Sequence, residues 1–247
     1  MSGPARFAVP NHRGVPTPRT LGILLAGAAA VSGIVVGRAV DAAPGGIATA
    51  SALVVIFAVG FLDDLVADGP RGLRGHLRAL VEGRITTGVL KAVVIAACAV
   101  VSAALLPVGP VAAVAGIPLL AASANLANAL DVRPGRALKA FLPILLVGLA
   151  VIPLDLHPAL PGVALAAVPA LRRDLRERDM LGDGGANLLG FAAGVVLLLA
   201  APEPLVVLLA IAAVGLNLLA DTVGLSTLIA RSPLLAAIDR LGRLPDA

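Results

Sequence analysis

Eight times between Leu21 and Val223 the sequence runs for fourteen to twenty residues with hardly a charge. A helix needs about 20 apolar residues to cross a hydrocarbon core of ~30 Å, and no water-soluble domain hides eight such runs. The expected spans are Leu21–Gly37, Ile47–Leu62, Gly88–Leu106, Val111–Leu130, Leu138–Leu154, Pro158–Leu171, Ala186–Ala201 and Leu205–Val223. Pro158–Leu171 is the shortest and carries Pro161 and Pro169. Proline removes a ladder hydrogen bond, a loss that surrounding helices make tolerable. With 59% hydrophobic and 14% charged residues and a mean hydropathy of +0.99, there are too few charges to cover a soluble surface. The expected fold is an all-α, polytopic membrane helical bundle of about eight transmembrane helices, forming a single domain over residues 1–247.

Basic residues fix the orientation. If both termini are cytoplasmic, one side receives Arg6, Arg13 and Arg19; Arg71, Arg74, Arg78 and Arg84; Arg133, Arg136 and Lys139; Arg172, Arg173, Arg176 and Arg178; and Arg231, Arg240 and Arg243. These are seventeen of the nineteen Lys and Arg; Arg38 falls outside and Lys91 begins a span. Such segregation is the positive-inside signature, and it accounts for the net charge of +4 without nucleic acid as a partner. It places residues 1–20 in a cytoplasmic arm and 225–247 in a cytoplasmic tail. The tail sets Leu228, Ile229, Leu235, Ile238 and Leu241 among arginines, the pattern of a short amphipathic helix on the membrane surface, broken near Pro233. The first apolar run lacks a cleavage pattern and reads as a retained helix. The single cysteine, Cys98, allows no internal disulfide.

Carboxylates beside membrane helices are costly and mark ion or substrate sites. Asp63 and Asp64 end the second run in GFLDDLVAD, with Asp68 four residues beyond Asp64. An acid pair at a helix C-terminus faces the negative end of the dipole and needs positive compensation. Either the arginines from Arg71 to Arg84 supply it, or a Mg²⁺ that also holds phosphate oxygens does. Asn125, Asn128 and Asp131 stand at i, i+3 and i+6 on one helix face, which suits either hydrogen bonds between helices or a polar ligand. Asp183 lies in MLGDGGANLLG, where it either caps the following helix or, among glycines that permit a tight turn, faces a ligand.

At these residues the sequence resembles the membrane-embedded polyprenyl-phosphate sugar-1-phosphate transferases, which include the phospho-N-acetylmuramoyl-pentapeptide and the N-acetylglucosamine-1-phosphate transferases. HRGVPTPRTLG at 12–22, GFLDD at 60–64, NLANALD at 125–131 and GDGGANLLG at 182–190 are similar to four family motifs, in the family's order. Val132 stands where the family has glycine, Ala186 where it has serine, and Asp68 falls one position late. The family's leading helix, histidine-rich loop and final helix have no counterpart. The resemblance implies transfer of a sugar-1-phosphate from a UDP-sugar to a polyprenyl phosphate with release of UMP, at the cytoplasmic face of the plasma membrane in cell-envelope glycan assembly. It implies Mg²⁺ as cofactor, catalytic roles for Asp63 and Asp64, metal-ligand roles for Asp64 and Asp183, and substrate contacts from Asn125, Asn128, Asp131, Arg13 and Thr17. The alternatives are an impaired relative that binds lipid phosphate or a membrane-protein partner, alone or as a homodimer, and a small transporter.

Overall fold

The computed structural model describes residues 8–66, 75, 79, 81–83 and 86–245. Arg6, Asp68, Arg71, Arg74, His76, Arg78 and Arg84 lie outside the described residues. Ten helices are present among the described residues: α1 (Leu21–Ala39), α2 (Pro44–Leu65), α3 (Thr87–Leu105), α4 (Pro110–Leu130), α5 (Arg136–Val151), α6 (Leu160–Leu175), α7 (Gly182–Ala200), α8 (Glu203–Thr222), α9 (Leu225–Arg231) and α10 (Pro233–Arg240). A two-stranded antiparallel hairpin, β1 (Ala8–Pro10) and β2 (Pro16–Pro18), precedes them with Val9 opposite Thr17. The chain is an all-α polytopic bundle.

Among the described residues, six helices are long and apolar enough to cross a membrane; α5 and α6, of 16 residues each, are not among them. At about 1.5 Å per residue each reaches only ~24 Å. Near the start of α6, a Cβ at Gly162 would meet the Ala28 carbonyl midway along α1 at 2.1 Å, so this helix begins inside the bundle. The connection between α5 and α6 at 152–159 lies at the end where α2 begins: the Asp155 carbonyl accepts from the Ala43 N–H at 3.1 Å, and Ser32 Oγ of α1 donates to the Pro158 carbonyl. At the opposite end, the Gly135 N–H just before α5 donates to Asp174 in the last turn of α6. Six of the eight long helices thus have the length and hydropathy of a span, α5 and α6 complete the bundle, and its two ends differ in character. One gathers Arg19, Asp63, Asp64, Asp131, Arg136, Asp174 and Asp183. The other holds Arg38, Glu203 and a fully buried His157.

The centre of the bundle is α7, with 78% of its apolar window buried. Lipid offers no hydrophobic drive to pack one helix on another, so close association depends on small residues that let backbones approach. A Cβ added at Gly60 of α2 would sit 2.6 Å from Gly184 Cα, and one at Gly185 would sit 2.6 Å from Gly22 Cα of α1. The glycines of the 182–190 motif thus belong to helix packing, and α7 begins at Gly182 rather than near Ala186. Gly182 alone has a positive φ, +67°, in this motif.

The tail also folds as two short helices on either side of Pro233. Arg136 pairs with both Asp239 oxygens at 2.8 and 3.0 Å, and Lys139 donates to the carbonyls of Ile238 and Asp239. Burial would lift the Asp239 carboxyl, but Arg136 and Arg243 outweigh it and hold it below its ordinary value. With the polar side so engaged, Leu234, Leu235, Ile238 and Leu241 stay exposed, an apolar face of the kind that lies in a membrane interface.

Candidate functional site

The close approach of α2 and α7 has a chemical result. Gly60 and Gly184 touch one turn from the acids, so the C-terminal turn of α2, carrying Asp63 and Asp64, abuts the first turn of α7, carrying Asp183. Asp183 lies within that first turn and is not the cap. Its charge is favoured by the helix dipole, whereas Asp63 and Asp64 oppose theirs.

Among the described residues, two cations meet these acids. Lys91, one turn into α3, places Nζ 2.6 Å from Asp63 Oδ2 and 2.5 Å from Asp183 Oδ2. Arg19, just before α1, places Nη1 2.6 Å from Asp64 Oδ1. Thr87 Oγ1 donates to Asp63 Oδ1, and the Gly184 N–H approaches Asp64 Oδ2 at 3.5 Å. The Lys91 side chain is only 12% exposed and that of Asp63 17%, so this pair is partly shielded from the screening that weakens surface ion pairs, while Asp183 and Arg19 are more open to solvent. The arginines from Arg71 to Arg84, one of the two sources of compensation that the sequence offers, lie outside the described residues. Among the described residues, no three His, Cys, Asp or Glu side chains form a group able to hold a metal. Instead, Asp63 and Asp183 face one another across a single cation position. Two carboxylates together with phosphate and water oxygens are a donor set that Mg²⁺ accepts.

A small pocket opens at the same end, lined by Asn11, His12, Thr17, Asp131, Asp174 and Glu177. Thr17, on β2, is buried and donates Oγ1 to the Val15 carbonyl. Asp131 follows α4 as its cap residue. Desolvation pushes its carboxyl well above the usual range, and the charges of Asp174, Asp183 and Asp64 add to the effect.

Other nominated residues have different neighbours. Asn125 donates Nδ2 to Asn217 Oδ1 at 2.6 Å, and Asn217 donates to the carbonyls of Ala122 and Ala213. This is a polar tie between α4 and α8. Asn128 is half-buried one turn before Asp131. Arg13 pairs with Glu177 at 3.1 Å and donates to the carbonyls of Leu244 and Pro245 at 3.2 and 2.7 Å. It is therefore engaged with the tail and does not line the pocket.

Sequence reasoning passed over Lys91, Arg19 and Asp174 as site residues. For Lys91 a signal existed: it stood apart from the seventeen segregated bases, at the mouth of an apolar run. Asp174 was hidden among four arginines in RRDLRER. No protein-family model, curated protein or solved structure matches the chain.

Proposed function

We propose that the chain is a Mg²⁺-dependent transferase that moves a sugar-1-phosphate from a UDP-sugar to a polyprenyl phosphate, releasing UMP, at the cytoplasmic face of the plasma membrane in cell-envelope glycan assembly. The observation that carries this reading is the meeting of Asp63, Asp64 and Asp183. Two motifs 120 residues apart place three carboxylates and two cations together at one end of a membrane bundle. Both substrates are anionic and one is lipid-anchored, so a charged cluster where spanning helices end is the place where they can meet. The positive-inside segregation puts that end in the cytoplasm.

In this reading Asp63 and Asp183, which share Lys91, would hold Mg²⁺ together with Asp64, the ligand that the resemblance pairs with Asp183. The ion would supply stabilisation of charge developing on the scissile pyrophosphate. Asp64, shielded and paired with Arg19, is the candidate to accept a proton from the lipid phosphate. That phosphate's oxygen bonds to the sugar-bearing phosphorus as the bond to the UMP oxygen breaks. Asp131 and Thr17, with Asn128 a turn away, serve the nucleotide side through the pocket. Arg13 joins them only after release from the tail.

That contact favours a second reading. Arg13 is held by the chain's own tail, an arrangement equally suited to a relative that binds lipid phosphate or a membrane partner without turnover. A transporter fits less well, since its ion site belongs near the membrane midplane and these acids lie at one end. Purified protein incubated with polyprenyl phosphate, Mg²⁺ and a panel of UDP-sugars should release UMP and form lipid-linked product, and Asp64→Asn should abolish both. Lipid binding with no turnover across the panel selects the impaired relative. Flux in liposomes without chemistry selects the transporter.

A further inference from the structure

Arginine dominates the basic residues of this chain: seventeen of nineteen, with Lys91 and Lys139 as the two lysines. Lys139 caps tail carbonyls, a task for a multidentate donor. Lys91 stands between two carboxylates that come from different helices, and among the described residues its ammonium is the one group of α3 that bonds both acids. A guanidinium is planar, broad and forked, whereas an ammonium is a compact point charge with rotatable donors on a flexible stem. The side chain that fills this position is the one closest to a metal ion in size and charge density, and it can withdraw along its own stem. One turn along α7 from Asp183, fully buried Asn187 donates Nδ2 to the Asp183 carbonyl while its Oδ1 has no partner among the described residues. An oxygen acceptor is thus left over in the helical turn that carries the acid.

We infer that Lys91 is an exchangeable counter-cation: its ammonium occupies the position between Asp63 and Asp183 that a divalent cation takes, so that lysine and metal exclude one another there. The inference rests on the reading of this end as a divalent-cation site. Two carboxylates forced together without a cation repel. Lys91 holds them facing one another while no metal is present, and the metal must displace it. A site held by its own lysine for more than nine-tenths of the time binds metal about tenfold more weakly than the same site free.

Mn²⁺ binding followed by electron paramagnetic resonance, without lipid or sugar nucleotide, reads the exchange directly. Lys91→Met should bind Mn²⁺ at least about tenfold more tightly than the native chain. Arg19→Met, which removes an equal charge beside Asp64, should change the affinity less. In a Lys139→Arg chain Lys91 is the sole lysine, and its ¹⁵Nζ resonance should shift with Mg²⁺ and saturate over the concentration range in which metal binds. Equal or weaker Mn²⁺ binding by Lys91→Met, a Lys91 resonance unmoved at saturating Mg²⁺, or no Mn²⁺ bound by either chain would each overturn the exchange. Metal exchange observed with no UMP release leaves the exchange standing and removes only the transferase reading. UMP release with Lys91 undisturbed by metal does the reverse.

Discussion

Helices α7 and α8 are nearly equal in length, and both are apolar enough to span a membrane, yet 78% of the apolar window of α7 is buried and only 17% of that of α8. The more hydrophobic of the two, α8, is the one left facing outward. In lipid, hydropathy decides that a helix crosses; residue size decides where in the bundle it stands. Helix α7 carries Gly184, Gly185, Gly190 and Gly194 against neighbouring helices, while Gly215 of α8 has open space around it. The functional consequence follows from the packing: the helix that others can approach most closely is the one whose first turn brings Asp183 to Asp63 and Asp64.

The sharpest way to break this comparison is to add one methyl group to each helix. At Gly184 the new Cβ would meet the Phe57 carbonyl oxygen at 2.7 Å and the Phe61 nitrogen at 3.0 Å. The backbones of α2 and α7 must then separate. Gly184→Ala should lower stability by about 1–3 kcal/mol, the usual cost of overpacking, and weaken divalent-cation binding along with it. Gly215→Ala meets nothing within 4 Å and should be neutral or stabilising by up to about 1 kcal/mol through helix propensity. Thermal unfolding of both variants in one detergent decides; equal losses would show that α7 owes its place to something other than its glycines.

A second test concerns the opposite end of the bundle. Burial pushes His157 down to about 4, a backbone contact to Ala192 offsetting only part of the shift. The folded chain keeps this ring neutral, whereas the unfolded chain takes up a proton near pH 6.5. Its contribution is full above pH 6.5 and is lost as pH falls toward 4, on the order of 3 kcal/mol. Stability curves of the native chain and His157→Leu should therefore diverge with pH over that window. Parallel curves would mean the ring is solvated. The smallest effect is expected where α8 meets α4: Asn217→Leu removes the tie to Asn125 and should cost about 0.6–1.7 kcal/mol, without changing metal binding.

Much of this architecture is legible in the sequence because the bilayer imposes one rule on every span. Each of the eight apolar runs corresponds to a long helix, six of them long enough to span and α5 and α6 falling short. The acids are legible for the same reason, since a carboxylate beside a membrane helix is rare. Less legible is what lies beside them. Lys91 is 28 positions from Asp63 and 92 from Asp183, and no periodicity within α3 points across the bundle. Asn125 shows the converse: its spacing with Asp131 is regular, but its partner, Asn217, lies on another helix. The glycines of 182–190 read equally as a ligand turn or a packing face, and only the positions of Gly22 and Gly60 decide between them.

The central claim is that packing on α7 brings the acids of two distant motifs together at one end of the bundle. Thiol cross-linking tests it most directly, because Cys98 is the single cysteine and a Cys98→Ala background is clean. In membranes, a chain carrying Asp63→Cys and Asp183→Cys should be joined rapidly by a short bifunctional thiol reagent, while Asp63→Cys paired with Glu203→Cys at the opposite end should not. Joining of the first pair alone is the result this structure predicts. No cross-link between positions 63 and 183 in a folded chain, or equal joining of both pairs, would contradict it.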